Sequence, residues 1–285
     1  MIGASFAAEM LKLRKRPATW VLGLLWLGLT VLFGYVIPYA VYLTVKESGE
    51  TQSDFGVTPE QLLSSTLPGS LVPNLLDGFP LFGGAIVLIL GALVAGSEFG
   101  WGTMKTVLTQ RPTRLGVYLG KLLALGAVLL AFVLLIFATG ALLSAGIASI
   151  ENTPMDWPSA SVVLRGLGSA WLILAMWASF GVFLGILTRG TALAIGLGLV
   201  WAFVLEGLFA LFASLVDVID TLRKAMPGVN AGSLAGSFRS ASELETGAPG
   251  VSSAVSGEQA MFVLIAYVAA FLAVAGLLLR RRDVT

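Results

Sequence analysis

The sequence predicts an all-α integral membrane protein: six transmembrane helices preceded by an amphipathic N-terminal helix, with both termini cytoplasmic. Three observations predict it. Of 285 residues, 57% are hydrophobic and 12% charged, against the roughly 45–50% and about 25% of soluble domains, and the mean hydropathy is +0.92. The apolar residues fall into six blocks long enough to cross a bilayer, which takes about 20 residues. Lys and Arg concentrate between alternate blocks, the asymmetry that orients membrane proteins.

The first 16 residues read as an interfacial helix. Ile2, Phe6, Met10 and Leu13 share one face, and Ser5, Glu9, Lys12, Lys15 and Arg16 the other. A basic polar face suits the inner leaflet of a membrane. The apolar run that follows is long enough to span and lacks a small-residue cleavage site, so the N-terminus reads as retained rather than as a signal peptide.

Pro17 opens the first span, about residues 18–45, which Pro38 kinks or ends. Residues 46–78 are polar and acidic, and within them Thr58-Pro-Glu-Gln61 has the form of a capping box, predicting a short helix over Pro59–Thr66. The second span covers about 79–96 and the third 117–150, longer than one crossing requires. The fourth covers 162–187, the turn Thr188-Arg-Gly190 follows, and the fifth covers 191–216. Residues 217–259, rich in Gly, Ser and Ala after Gly228, predict a solvated loop or loosely folded cap, with a short interfacial helix before Pro227. The sixth span is 260–279, anchored by Arg280, Arg281 and Arg282. Residues 17–285 thus form one six-helix domain.

Placing the N-terminus in the cytoplasm assigns twelve of the 17 Lys and Arg to that side, namely Lys12, Arg14, Lys15, Arg16, Lys105, Arg111, Arg114, Lys121, Arg189 and Arg280 to Arg282. Segments 46–78 and 217–259 then lie outside. The opposite orientation violates the positive-inside rule at every loop.

The chain has no Cys and no His. Disulfides, thiolate or imidazole metal sites and His-dependent nucleophilic catalysis are excluded, and no metal site is predicted. A P-loop needs Gly-x4-Gly-Lys-Ser/Thr, and the nearest stretch, Gly116 to Leu122, has the wrong spacing and no hydroxyl. An ATP-driven role therefore requires a partner, and this chain is not expected to be an enzyme.

The one long basic segment between apolar blocks is Glu98 to Arg114, in the inner loop 97–116. Trp101, Met104, Val107 and Leu108 fall on one side of a helical wheel, and Glu98, Lys105, Thr106, Thr109 and Gln110 on the other, until Pro112. Alone, this amphipathic segment reads as a solvated connector or as a docking handle.

The pattern Glu98-Phe-x-x-Gly102-Thr103-x-Lys105-x-x-Leu108, followed by Arg111, Arg114 and Lys121, resembles the permease subunits of ABC-2 type transporters. So does Phe6-x-x-Glu9-x-x-Lys12-Leu13-Arg14-x-Arg16, which is similar to that family's amphipathic elbow helix. The resemblance extends to the topology of the whole chain. It implies a plasma-membrane exporter subunit whose 97–116 loop is a coupling helix docking into a separate cytoplasmic ATPase, where ATP and Mg bind. It also implies a second copy or paralogous permease, a pathway between the two halves, and a hydrophobic or amphipathic substrate moved outward. On this reading Trp101, Met104 and Leu108 seat the helix, Glu98 and Lys105 face outward to set its register, and Arg111 and Arg114 contact lipid phosphates or acidic groups of the ATPase. Nucleic acid is not an expected partner.

Glu206 is a carboxylate inside the fifth span, a costly placement that calls for a partner or a cavity. Its expected partner is Arg165 near the start of the fourth span; the alternative is contact with a proton or cationic substrate. Gly181-x-x-x-Gly185 permits close helix packing. Two other functional classes remain compatible with the sequence: a self-sufficient secondary transporter using Glu206, and a membrane scaffold or immunity protein that transports nothing.

Overall fold

A computed structural model of the chain describes residues 2–49, 51–53, 56–100, 113–213, 215–240 and 249–281. Among them all regular structure is helical, and six helices are long and apolar enough to cross a membrane: Pro17–Ser48, Pro68–Phe99, Arg114–Ile150, Ala160–Thr188, Ala192–Phe212 and Gly257–Arg281. The protein is a multi-pass membrane protein.

In chain order the α-helices are α1 (Ile2–Lys15), α2 (Pro17–Val31) and α3 (Ile37–Ser48) forming the first span, α4 (Pro59–Thr66), α5 (Leu71–Leu76) and α6 (Gly84–Gly100). The third span is α7 (Arg114–Ile150), the fourth α8 (Ala160–Thr188), and the fifth is made of α9 (Ala192–Leu199) and α10 (Glu206–Phe212). Two short helices, α11 (Asp217–Lys224) and α12 (Pro227–Gly236), precede the sixth span, α13 (Gly257–Arg281).

The fourth span is the hub, packing on the second, third, fifth and sixth. Its closest partner is the second span, because glycines remove the side chains that would separate the two backbones. A Cβ on Gly91 would collide with the carbonyl of Ala178, and one on Gly181 with the carbonyl of Leu88. The first, fifth and sixth spans bury little of themselves and present apolar side chains such as Leu24, Phe203 and Phe262 outward, as lipid-facing helices do.

Three spans contain a π-helical turn: Leu32–Val36, Phe79–Gly83 and Val200–Leu205. The first has a visible cause. Pro38 carries no N–H to donate to the carbonyl of Gly34, so helical bonding fails there without ending the helix. The orphaned carbonyl accepts from Asn74 Nδ2 at 3.0 Å, a bond from the second span that keeps the first continuous to Ser48. Phe33 and Phe82, one in each of two π turns, stack with centroids 5.7 Å apart.

Two segments lie deeper than their composition predicts. The second span begins at Pro68 rather than 79, because Leu71, Val72, Leu75 and Leu76 are all buried. The stretch expected as a solvated cap contains α12, which is buried from Asn230 to Gly236 against the sixth span. Its Gly, Ala and Ser residues do not make a flexible linker here. They let a helix pack with its backbone close to neighbours, and Asn230 Nδ2 donates to the carbonyls of Lys224 and Met226 at 2.9 and 2.7 Å. Arg239, just beyond α12, clamps Asp77 at the end of α5, with Nε donating to Oδ1 at 2.9 Å and a second guanidinium nitrogen bonding Oδ2. The Thr58 capping box forms as its sequence predicts, Thr58 Oγ1 accepting from Gln61 N and Gln61 Oε1 from Thr58 N.

At this same end of the bundle, Glu151 ties the first span to the turn after the third. Its carboxylate accepts from Lys46 Nζ, Tyr39 OH and Tyr42 OH, each at 2.9 Å. Those three bonds, Lys46's first, hold its carboxyl below the ordinary carboxylate value. A depressed folded-state pKa adds stability that is fully present above the unfolded value of about 4.3 and is lost as the pH falls through the folded one. Thermal unfolding of the wild type and Glu151→Gln should therefore differ most at neutral pH and converge on acidification below about pH 4.3. A difference independent of pH would contradict this account.

Candidate functional site

At the opposite end of the bundle, where α1 lies beside the start of the third span and the end of the second, four charged residues form a closed ring. Lys12 Nζ bridges Glu9 Oε1 and Glu98 Oε1, each at 2.7 Å. Lys121 Nζ bridges the same carboxylates from the other side, at 3.2 Å to Glu9 Oε2 and 3.0 Å to Glu98 Oε1, and also donates to the carbonyl of Val94 at 3.0 Å. The ring holds two negative and two positive charges, so it closes without net charge. Side-chain exposure is 5–7% for Glu9, Glu98 and Lys121 and 50% for Lys12, which alone reaches solvent.

Local structure brings the ring together. The second span stays helical through Gly100, which carries Glu98 on the buried face of Val94 and Ala95. Gly120, one residue before Lys121, lets α1 sit directly on the third span: a Cβ there would lie 2.5 Å from Ser5 Cβ and 2.9 Å from Phe6 N. Leu13 is buried, with Phe6 and Met10 packed beside it, so apolar contact and ion pairs cooperate along one face of α1. Burial alone would lower the Lys12 pKa, but hydrogen bonds and charge from Glu9 and Glu98 outweigh it and hold the ammonium above its usual value. Arg16 adds a further tie, Nη1 donating to the carbonyl of Leu93 at 3.0 Å; burial lowers its pKa, opposed by Glu98 and Glu9.

This geometry corrects two expectations. Glu98 does not face outward to set a docking register: it is 5% exposed and locked in the ring, because the span outlasts its apolar block by one turn. Glu9, expected on a polar outer face of α1, is equally buried. The signal for both was present at Lys121, a cation seven residues inside the third span, which at that depth requires acidic partners. Arg14 and Lys15 are exposed. Thr113 caps the third span by accepting from Gly116 N at 3.1 Å, and Arg114 Nη1 donates to the carbonyl of Leu279 at 3.3 Å, joining the third span to the end of the sixth. Trp101, Gly102, Thr103, Lys105 and Arg111, with Met104 and Leu108, lie outside the described residues.

Glu206 is buried, 8% exposed, but not against Arg165. Arg165 is exposed and its Nε donates to Ser161 O at 3.4 Å. The carboxylate instead turns to α12, accepting the N–H of Gly228 at 3.0 Å, and a cavity opens beside it between the second, fourth and fifth spans. Pro227 at the first position of α12 is the sequence cue for the helix start, and the fold alone brings that start to Glu206.

The described residues contain no cluster of three or more acidic side chains able to hold a metal ion. No curated protein matches the chain. One family model matches residues 74–285, which is most of the chain and includes Glu98, Lys121 and Glu206. The chain belongs to that family, described as a protein of unknown function (DUF2705).

Proposed function

We propose that this protein is the membrane-spanning subunit of an ATP-driven, ABC-2-like exporter, working as a pair with separate cytoplasmic ATPase subunits. The ion ring is the observation that carries the reading. It fastens α1, the end of the second span and the start of the third into one unit at the two ends of the 101–112 segment. A partner pushing on that segment would move two spans and α1 together, because separating them exposes buried charges at a cost of several kcal/mol. A simple connector needs no such reinforcement at its base. On this reading α1 is an elbow helix in the inner leaflet, both termini are cytoplasmic in the plasma membrane, and the ATPase supplies the phosphate-binding loop that the chain lacks. Substrate moves outward between two copies of the permease, or between this chain and a paralogue.

The test is co-purification of the chain with a P-loop ATPase encoded beside it, followed by ATP hydrolysis in nanodiscs. The expected result is a stable complex in which the permease stimulates hydrolysis. Charge reversal at Lys105 or Arg111 should weaken assembly or stimulation without lowering the thermal stability of the membrane subunit. Absence of any nucleotide-binding partner, or full coupling in both variants, would sink the proposal.

A further inference from the structure

The coupling reading makes no use of Glu206. Its carboxylate sits where the π turn Val200–Leu205 gives way to α10, packed so close to Gly228 that a Cβ there would displace it. The adjoining cavity has a volume of about 340 Å³, within the roughly 300–1,000 Å³ of small-molecule sites. Pro80 and Leu81 line it from one π turn, and Ala202 and Phe203 from another. π turns concentrate at functional sites because they re-aim side chains and leave the helix deformable.

Three features define what this cavity can hold. A carboxylate offers about four lone-pair sites; the Gly228 N–H occupies one at 3.0 Å, and the Trp201 indole and the Val229 N–H also approach the Glu206 carboxylate, which leaves about one site for a ligand. Among the described residues Glu206 makes no ion pair. The cation on the cavity wall, Arg223, belongs to α11, whose two acids, Asp217 and Asp220, balance Arg223 and Lys224; Arg223 Nη1 lies 3.7 Å from Asp220 and Lys224 Nζ 2.6 Å from it. Arg223 is thus engaged by an acid of its own helix, and Glu206 is left as the carboxylate on the wall that makes no ion pair among the described residues. The third feature is the apolar wall, to which Trp177, 3% exposed, contributes with Ala202 and Phe203. A buried charge without a counter-charge is costly, and a ligand that brings one is held by the difference.

We infer that this cavity binds a hydrophobic molecule carrying a single cationic amine, its ammonium on Glu206 and its apolar body against Trp177 and Phe203. A bare metal ion fits poorly, because one carboxylate among apolar walls cannot replace a hydration shell of six or so oxygens. The binding site stands without the ATPase; only the naming of its occupant as the exporter's cargo rests on the proposed function.

The test uses the full chain in nanodiscs, without ATPase, and tritiated 4-phenylbutylamine, with 4-phenylbutanol and 4-phenylbutyrate as neutral and anionic competitors of the same shape. The wild type should bind the amine about tenfold or more tighter than the alcohol, the order expected of a charge-assisted hydrogen bond, and the acid least. Glu206→Gln, which keeps an acceptor for Gly228, should abolish that preference. Ala202→Phe, which fills the cavity and leaves Glu206 in place, should weaken the amine about tenfold. Equal affinity for amine and alcohol in the wild type, or undiminished amine binding in Ala202→Phe, overturns the inference even if the Gln variant fails to fold. Loss of ATPase association with binding intact would instead count against the exporter reading alone.

Discussion

Replacing Lys121 by methionine should destabilise the protein by about 3–5 kcal/mol, the cost of breaking a buried ion pair by removing one partner. The substitution is close in length and flexibility, so the loss is electrostatic rather than a cavity. It leaves Glu9 and Glu98, both buried, with Lys12 as the one ammonium left in the ring. The buried cluster then carries net negative charge, and the carbonyl of Val94 loses its donor. Unfolding followed by denaturant titration in mixed micelles measures the loss. The double variant Lys121→Met with Glu98→Gln restores neutrality and should recover most of it, giving a large coupling energy in the double-mutant cycle. Additive losses in the two single variants would mean that the residues touch without depending on one another. Because Lys12 is half exposed, its replacement by methionine should cost less than that of Lys121.

Gly181→Leu should be comparably severe. Even the Cβ of such a side chain collides with the carbonyl of Leu88, and a backbone atom cannot rotate out of the way. The second and fourth spans would have to separate along their whole contact, and overpacking typically costs about 1–3 kcal/mol or more. Gly185 is less demanding, since a Cβ there would lie 3.0 Å from Gly96 N and 3.1 Å from Ala92 O. Gly168, on the same span, has nothing within 4 Å of its Cβ position. Gly168→Ala should therefore be neutral or stabilising, by up to about 1 kcal/mol, as expected for glycine replaced inside a helix. Thermal unfolding of Gly181→Leu, Gly185→Ala and Gly168→Ala should rank in that order of damage. Equal tolerance at Gly181 and Gly168 would show that the two spans do not meet as described.

The six spans were legible because the bilayer imposes a local rule that each crossing be met by a contiguous apolar stretch. The Thr58 capping box was legible for a similar reason, since both its partners lie within three residues. Composition misled where packing reversed its meaning. The Gly, Ala and Ser residues of α12 resemble a linker in any window of sequence, yet the same small side chains let a helix bury its backbone against the sixth span. Glu206 was conspicuous as a charge in a span, but Arg165 was chosen as its partner on the assumption that a carboxylate answers to a cation. A helix N-terminus supplied the positive end instead.

The ring around Glu98 marks the division most clearly. By itself the sequence determined which charges border the membrane, because hydropathy follows from neighbouring residues. It left Glu98 as the start of an exposed amphipathic segment. Only the tertiary structure decided that Glu98 turns inward to meet residues 86 positions before it and 23 after, drawing in Glu9, 112 positions from Lys121. The physical reason is that ion pairing depends on distance in space and on exclusion of water, and both arise only once α1 has docked on the third span over Gly120.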